Sequence, residues 1–345
     1  LTTRAAAVLG QSPLTVAALR PMYPGETPKG FRRQLYSSLA HGAKFVNIWT
    51  LFDEDDAAGG ATSGWPGCFV SAVPDAGHGY AAMYKTLRRS FVELGRFDDI
   101  IRWGRPAQAK ARIALLFSES NQIWHPLSMA RLFDETASVG RYGTYGSAQH
   151  ALYLALLHTG FPFDIVIEED AVDGNLQQYN VLYVADPHVR GDAAAAIGAW
   201  VRQGGVLFAT AGAGRKDEFN ATNAAMSQLL GKPAPLFTGT RGLNNTIDYL
   251  KQDLPWAEQL DTVTLKGSAA TPLEVFGEKE TLHVTATDGA AVLGTYSDGS
   301  PAAIRRKHGE GAVIKCGFHP GLSYLRPAIP RGVVDRGTND DSFNQ

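Results

Sequence analysis

Cysteine is nearly absent: Cys68 and Cys316 are the only two in 345 residues, far apart, with no CxxC spacing and no Cys/His cluster around either. A disulfide framework and a zinc site of the usual Cys/His kind are excluded on that count. An excess of charge of one sign is also missing, because 32 basic and 34 acidic side chains leave a net charge of -2. Without a basic footprint, neither nucleic acid nor an anionic membrane is an expected partner. No apolar run approaches the roughly 18 residues of a membrane span, and the opening LTTRAAAVLGQSP lacks the cationic-then-apolar order of a signal peptide. Internal repeats and low-complexity segments are lacking too. What is present, 44% hydrophobic and 19% charged residues, suits a globular chain with two cores. The first residue, Leu1, and the polar ending RGTNDDSFNQ lead us to expect truncation at both ends.

The chain reads as two regions joined near RWGRPAQAKAR. In the first, LTVAALRP is a short apolar strand, KGFRRQLYSSLAHG an amphipathic helix with Gly42 as C-cap, and KFVNIWTLF a second strand. A glycine-rich loop from about Asp53 to Gly79 is long enough to be a functional loop. A second helix follows, with Tyr84, Leu87, Phe91 and Leu94 at helical spacing.

The second region alternates strands (ARIALLFSES, FDIVIEED, NVLYVAD, GVLFATAG) with helices (YGSAQHALYLALLHTG, DAAAAIGAWVRQGG), which predicts a parallel, doubly wound sheet over Ala111 to Phe318. Ligands of such sheets sit beyond the carboxyl ends of the strands, here SES, EED, ADPH and TAGAGRKDE. From Leu273 to Phe318 the pattern turns to period-two strands, with Asp288-Gly289 and Asp298-Gly299 as hairpin turns extending the sheet.

Four stretches in order, PGETPKGFRRQLYSSLAHGAKFVNIWTL, GYAAMYKTLRRSFVELGRFDDII, WVRQGGVLFATAGAGRKDEFN and DGSPAAIRRKHGEGAVIKCGFHPGLSYL, resemble bacterial β-galactosidase-type glycoside hydrolases. Those enzymes carry a catalytic (β/α)8 barrel followed by a trimerisation domain shaped like a class I glutamine amidotransferase. The resemblance implies an α/β chain: 1–105 as the C-terminal portion of the barrel, 106–325 as the flavodoxin-like, amidotransferase-like domain with C-terminal β-hairpins, and 326–345 as a tail. It further implies a carbohydrate substrate with β-linked sugars such as β-galactosides, a homo-oligomer, specifically a trimer, and no cofactor or metal.

Glycoside hydrolysis needs two carboxyl groups flanking the bond. By the resemblance the nucleophile falls near LRPMYPGETP, where Glu26 is the carboxylate at hand, although Pro24-Gly25 before it is a turn pair that also suits a solvated residue. The acid/base strand of the family lies before Leu1, so no residue here is assigned that role. Trp49 is a candidate sugar platform as well as a candidate core residue. Asp53 and Glu54 open an acidic run, Asp53 to Asp56, that suits sugar hydroxyls or a solvated loop and lacks the spacing of a calcium loop. His41 reads as a capping or packing residue, and His78 is not assigned.

Two other readings stay open. One is a non-catalytic oligomerisation module. The other is an esterase-like hydrolase using Ser118 or Ser120 with His125, against which stand the missing Gly-x-Ser-x-Gly elbow and the frequency of strand-end serines as helix caps. Glutamine hydrolysis is not expected, since ATAGAGRKDE carries no cysteine or serine, and AGAG lacks the spacing of a dinucleotide fingerprint.

Overall fold

The computed structural model describes residues 16–19, 28–40, 43, 45–48, 81–103, 111–124, 139–231, 233–238, 259–267, 271–284 and 289–325. They fall into two compact units, one within 1–108 and the other within 109–331.

In the first unit, β1 (Val16–Leu19) and β2 (Phe45–Ile48) pair in parallel, and α1 (Pro28–Ala40) carries the chain between them. Pro28 opens α1, where its missing N–H has no intrahelical partner to lose. Phe31 and Leu35 are buried against Leu87 of α2 (Ala81–Gly95), with Leu39 and Leu94 beside them. Of the stripe expected on α2, Leu87 and Leu94 face this cluster, whereas Phe91 is 41% exposed and Ser90 is buried in its stead. The cause is polar: Arg32 of α1 donates to Ser90 Oγ at 3.1 Å and to Glu93 at 2.7 Å, so this face of α2 must offer acceptors. Arg32, Arg89 and the Tyr36 hydroxyl together hold the Glu93 carboxyl down at about 2. The short helix α3 (Asp98–Trp103) closes the described part of the unit.

The second unit rests on a nine-stranded sheet. Its strands are β3 (Ile113–Leu116), β4 (Phe163–Val166), β5 (Val181–Val184), β6 (Val206–Ala209), β8 (Asp261–Leu265), β9 (Leu273–Val275), β11 (Ala291–Tyr296), β12 (Pro301–His308) and β13 (Gly311–Cys316). Two more, β7 (Leu236–Thr238) and β10 (Glu278–Glu280), form a separate antiparallel pair. The sheet order is β4-β3-β5-β6-β13-β12-β11-β8-β9. Neighbours are parallel from β4 to β13 and antiparallel from β13 to β9. The expected parallel sheet is therefore one half of a mixed sheet, and the C-terminal strands extend it edge to edge.

The helices of this unit are α4 (Glu119–Trp124), α5 (Val139–His158), α6 (Glu168–Val172), α7 (Gly191–Arg202), α8 (Ala224–Leu230) and α9 (Pro320–Leu325). On one face of the parallel half, Leu182, Val184, Leu207 and Val313 pack with Ile197, Trp200 and Val201 of α7 and Met226 and Leu229 of α8. Ala148 and Ala151 of α5 meet Leu322 of α9 and Phe276 in a smaller cluster. Under the antiparallel half, Val263, Val275, Tyr296, Ala302 and Phe318 form a third. Among the described residues no helix is long and apolar enough to cross a membrane.

The turns divide. At Asp298-Gly299 the expected hairpin joins β11 to β12, with Gly299 at φ +83° and Ser300 N donating to Asp298. Asp288 lies outside the described residues, and among those described the strands on either side of Gly289 do not pair with each other: β10 pairs with β7, and β11 with β8 and β12. A hairpin that the sequence reading missed joins β12 to β13 through Gly309, whose φ of +61° and close approach to the Arg202 backbone leave no room for a side chain. Period-two burial also fails in β13, where only Ile314 is not buried, since a strand at the junction of the two halves is covered on both faces.

Candidate functional site

Glu26, Trp49, Asp53 and Glu54 lie outside the described residues, as do Asp55, Asp56, His41, His78, Cys68 and His125. The described chemistry belongs to the second unit and gathers beyond the carboxyl ends of the parallel strands. Three of the four strand ends named from the sequence, SES, EED and ADPH, meet there in one buried network.

Glu168, at the start of α6 after β4, is its hub. Its Oε1 accepts from Ser118 Oγ at 3.0 Å and from the Arg190 backbone N–H at 2.6 Å, and its Oε2 accepts from Ser120 Oγ at 3.1 Å and Ser120 N at 3.2 Å. Asp186, after β5, accepts from Ser118 N, Asn121 Nδ2 and, through both oxygens, Gln149 Nε2, all at 3.0–3.2 Å. Apart from Arg190, which joins through its backbone, all of these residues are buried. Complete burial pushes the Asp186 carboxyl up to about 7, and the Ser118 N–H and the two side-chain amides pull it back toward the ionised form.

Such a network positions backbone and does not expose a nucleophile. Ser118 Oγ gives its hydrogen to Glu168 and accepts the Asn121 N–H, which makes it the cap of α4. Ser120 likewise donates to Glu168. The esterase-like reading thus finds two inaccessible serines, and the helix-cap reading of the strand-end serine is what the geometry shows. Next to the network, His188 stacks on Trp124 at a centroid distance of 5.8 Å and meets Asn220 Oδ1 at 3.0 Å.

A second cluster went unrecognised in the sequence. In β10, Glu278 and Glu280 are both buried while Lys279, between them, turns outward to Asp261. Glu280 accepts from Lys315 Nζ of β13 at 2.6 Å, with Arg215 at 3.3 Å, and from the backbone N–H groups of Gly212 and Ala234, each at 3.3 Å. Glu278 bonds the buried Tyr145 hydroxyl of α5 and faces His319 Nε2 at 3.5 Å. Burial, then Glu278, raises the Tyr145 hydroxyl well above its ordinary value. The available signal was the alternation of Glu-Lys-Glu between Phe276 and Leu282, which a strand resolves into two inward acids and one outward base.

The turn after β6 brings Gly212, at φ +70°, against Tyr145, and a Cβ there would lie 2.7 Å from the tyrosine hydroxyl. No thiol occupies that turn. Cys316 ends β13 fully buried, and burial pushes its thiol up to about 12, so it is not the nucleophile of an amidotransferase. Beside Glu280 and Lys315 opens a cavity of about 550 Å³, lined among others by Leu229, His283, Ile304, Arg306, Lys307 and His308.

Comparison with known proteins adds three findings. Residues 111–331 match the family model of the β-galactosidase trimerisation domain. The β-galactosidase BglY of Alicyclobacillus acidocaldarius is 27% identical over 251 residues, which cover 67% of this chain and 31% of that protein. The crystal structure of β-galactosidase from Bacillus circulans sp. alkalophilus aligns with a TM-score of 0.62 at 19% identity, over 97% of this chain and 46% of that one. For the β-galactosidase of Rahnella sp. R3 the values are 0.60, 19%, 96% and 47%. At that identity the structures establish the fold alone. The chain spans 31% of the length of the curated relative and less than half of these solved chains.

Proposed function

The chain belongs, through residues 111–331, to the β-galactosidase trimerisation domain family, and on that footing we propose that it serves a glycoside hydrolase acting on β-linked sugars such as β-galactosides. In this reading, residues 1–105 are the C-terminal part of a (β/α)8 barrel, 106–325 a flavodoxin-like domain that holds three copies together, and 326–345 a tail. The parallel βαβ of β1, α1 and β2 suits the first assignment, since consecutive barrel strands are parallel and joined by a helix. The strand order β4-β3-β5-β6-β13 suits the second, as it is the doubly wound order 2-1-3-4-5.

The observation that carries the reading is the family match together with the state of the carboxylates in the second unit. Glu168 and Glu280 each have four donors, so these two carboxylates hold strand ends in place. Hydrolysis then rests with the first unit. We assign Glu26 as nucleophile, Trp49 as sugar platform, and Asp53 and Glu54 as partners of sugar hydroxyls. The acid/base carboxyl is not assigned to a residue of this chain.

The test is hydrolysis of an aryl β-galactoside by the purified chain. Glu26→Gln lowers kcat by orders of magnitude with the oligomer unchanged, because covalent catalysis has no nearby substitute for its nucleophile. Wild-type turnover that survives Glu26→Gln removes the assignment. The four donors on each of Glu168 and Glu280 also favour a second reading, a module that only assembles copies, and that reading is selected when the wild-type chain forms a trimer without turning over any aryl glycoside.

A further inference from the structure

The cavity beside Glu280 and Lys315 is not used by the proposed function. Its floor is the sheet: Ile304, Arg306 and His308 alternate along β12 and share one face, and the register sets Ile304 beside Lys315 and Arg306 beside Val313 on β13. Leu229 and Leu230, at the end of α8, and Leu282, after β10, add to the lining. Leu229, Leu230, Leu282, Ile304 and Val313 are buried side chains, so most of what a ligand meets here is aliphatic.

The charged side chains on this face are engaged within the protein. Arg306 is a strut: it donates to the Leu230 carbonyl at 3.4 Å and to the His283 carbonyl at 2.9 Å, which ties β12 to the end of α8 and to the segment after β10. Lys315 donates to Glu280 at 2.6 Å, and Glu280 has its four donors. His308 differs from both. Its Nε2 is buried without a hydrogen-bond partner among the described residues, whereas buried polar atoms are ordinarily paired. An imidazole nitrogen serves a hydroxyl as donor or as acceptor, according to the tautomer. Gln228 and His283 also line the cavity and are exposed, which adds an amide and a second imidazole.

We propose that this cavity binds an uncharged saccharide, with galactose as its smallest form. The volume of about 550 Å³ lies in the range of small-molecule sites, which pair an apolar lining with a few placed polar groups. A pyranose matches both parts, its C–H face against the aliphatic side chains and its hydroxyls against His308 Nε2 and the Gln228 amide. A charged ligand gains less, because Arg306 and Lys315 already have partners. A purely apolar one leaves His308 Nε2 unpaired. The choice of galactose rests on the reading of the chain as serving a β-galactoside hydrolase, but the site itself uses neither Glu26 nor any other residue of the first unit.

Isothermal titration of the full chain with galactose and with galactose 6-phosphate tests this, with thermal unfolding of each variant as the check on folding. The expected result is a galactose Kd of about a millimolar or tighter, and no tighter binding of the phosphate. His308→Leu weakens galactose about tenfold, the worth of one buried hydrogen bond, while His308→Gln, whose amide nitrogen takes the place of Nε2, keeps most of the affinity. Gln228→Ala, at an exposed position of α8, weakens galactose about threefold and serves as the deciding variant if His308→Leu does not fold. Glu26→Gln leaves the affinity unchanged, so a chain without turnover can still meet this expectation, and a failure here leaves the hydrolase reading untouched. Absence of saturable galactose binding, tighter binding of galactose 6-phosphate than of galactose, or wild-type affinity in the deciding variant overturns the proposal.

Discussion

Lys315→Met is expected to lower the unfolding free energy by about 3–5 kcal/mol, because it removes one partner of a buried ion pair and leaves the other charge in place. Glu280 is fully buried and Lys315 nearly so, their contact is 2.6 Å, and burial works to lower the lysine while Glu280 works to keep it charged. Arg215, at 3.3 Å from the same carboxylate, remains in the variant and keeps the loss toward the lower end. The double variant Lys315→Met/Glu280→Gln is expected to lose less than the sum of the two single changes, since the glutamine no longer needs a counter-charge. Urea denaturation of the four proteins measures the coupling. A strictly additive double variant would show that the pair does not act as a unit, and the buried acids of β10 would need another explanation.

The second large effect concerns pH. The Asp186 carboxyl is raised from 3.8 to about 7, chiefly by burial. A carboxyl raised on folding stabilises the folded chain fully below its unfolded value, and that contribution is lost as the pH climbs from about 4 through about 7. The full span amounts to about 4 kcal/mol. Asp186→Asn removes the titration while adding a constant offset, because the amide nitrogen presents hydrogens to the donors on one former carboxylate oxygen, Asn121 and Gln149 or Ser118 and Gln149, while the amide oxygen serves the other set. Unfolding free energies of wild type and variant, measured from pH 4 to pH 8, are expected to differ by an amount that falls against the wild type as pH rises. Parallel curves would mean that Asp186 titrates alike in the folded and unfolded chain.

Much of the second unit was legible from residues alone. The runs IALL, FDIV, VLYV and VLFA are apolar and bounded by turn residues, so they become β3 to β6 whatever lies around them. Their carboxyl ends point to SES, EED and ADPH for the same reason, and these do converge. What stayed hidden depends on partners distant in sequence. Glu280 is buried because Lys315 lies 35 residues on and Gly212 lies 68 residues back, and a local window cannot supply either. β8, DTVTL, is too polar to announce a strand until β11 pairs with it. The exposure of Phe91 on α2 has the same origin, in an arginine on another helix that claims the neighbouring Ser90 and Glu93. Ser118 shows the opposite case, where a local rule, the capping of a short helix by a strand-end serine, was sufficient.

The account turns on the second unit as an assembling domain, and that is open to one direct measurement. Sedimentation equilibrium of the purified chain, over a hundredfold range of concentration, should return three times the chain mass, with Glu26→Gln indistinguishable from wild type. A single-chain mass at every concentration would contradict it.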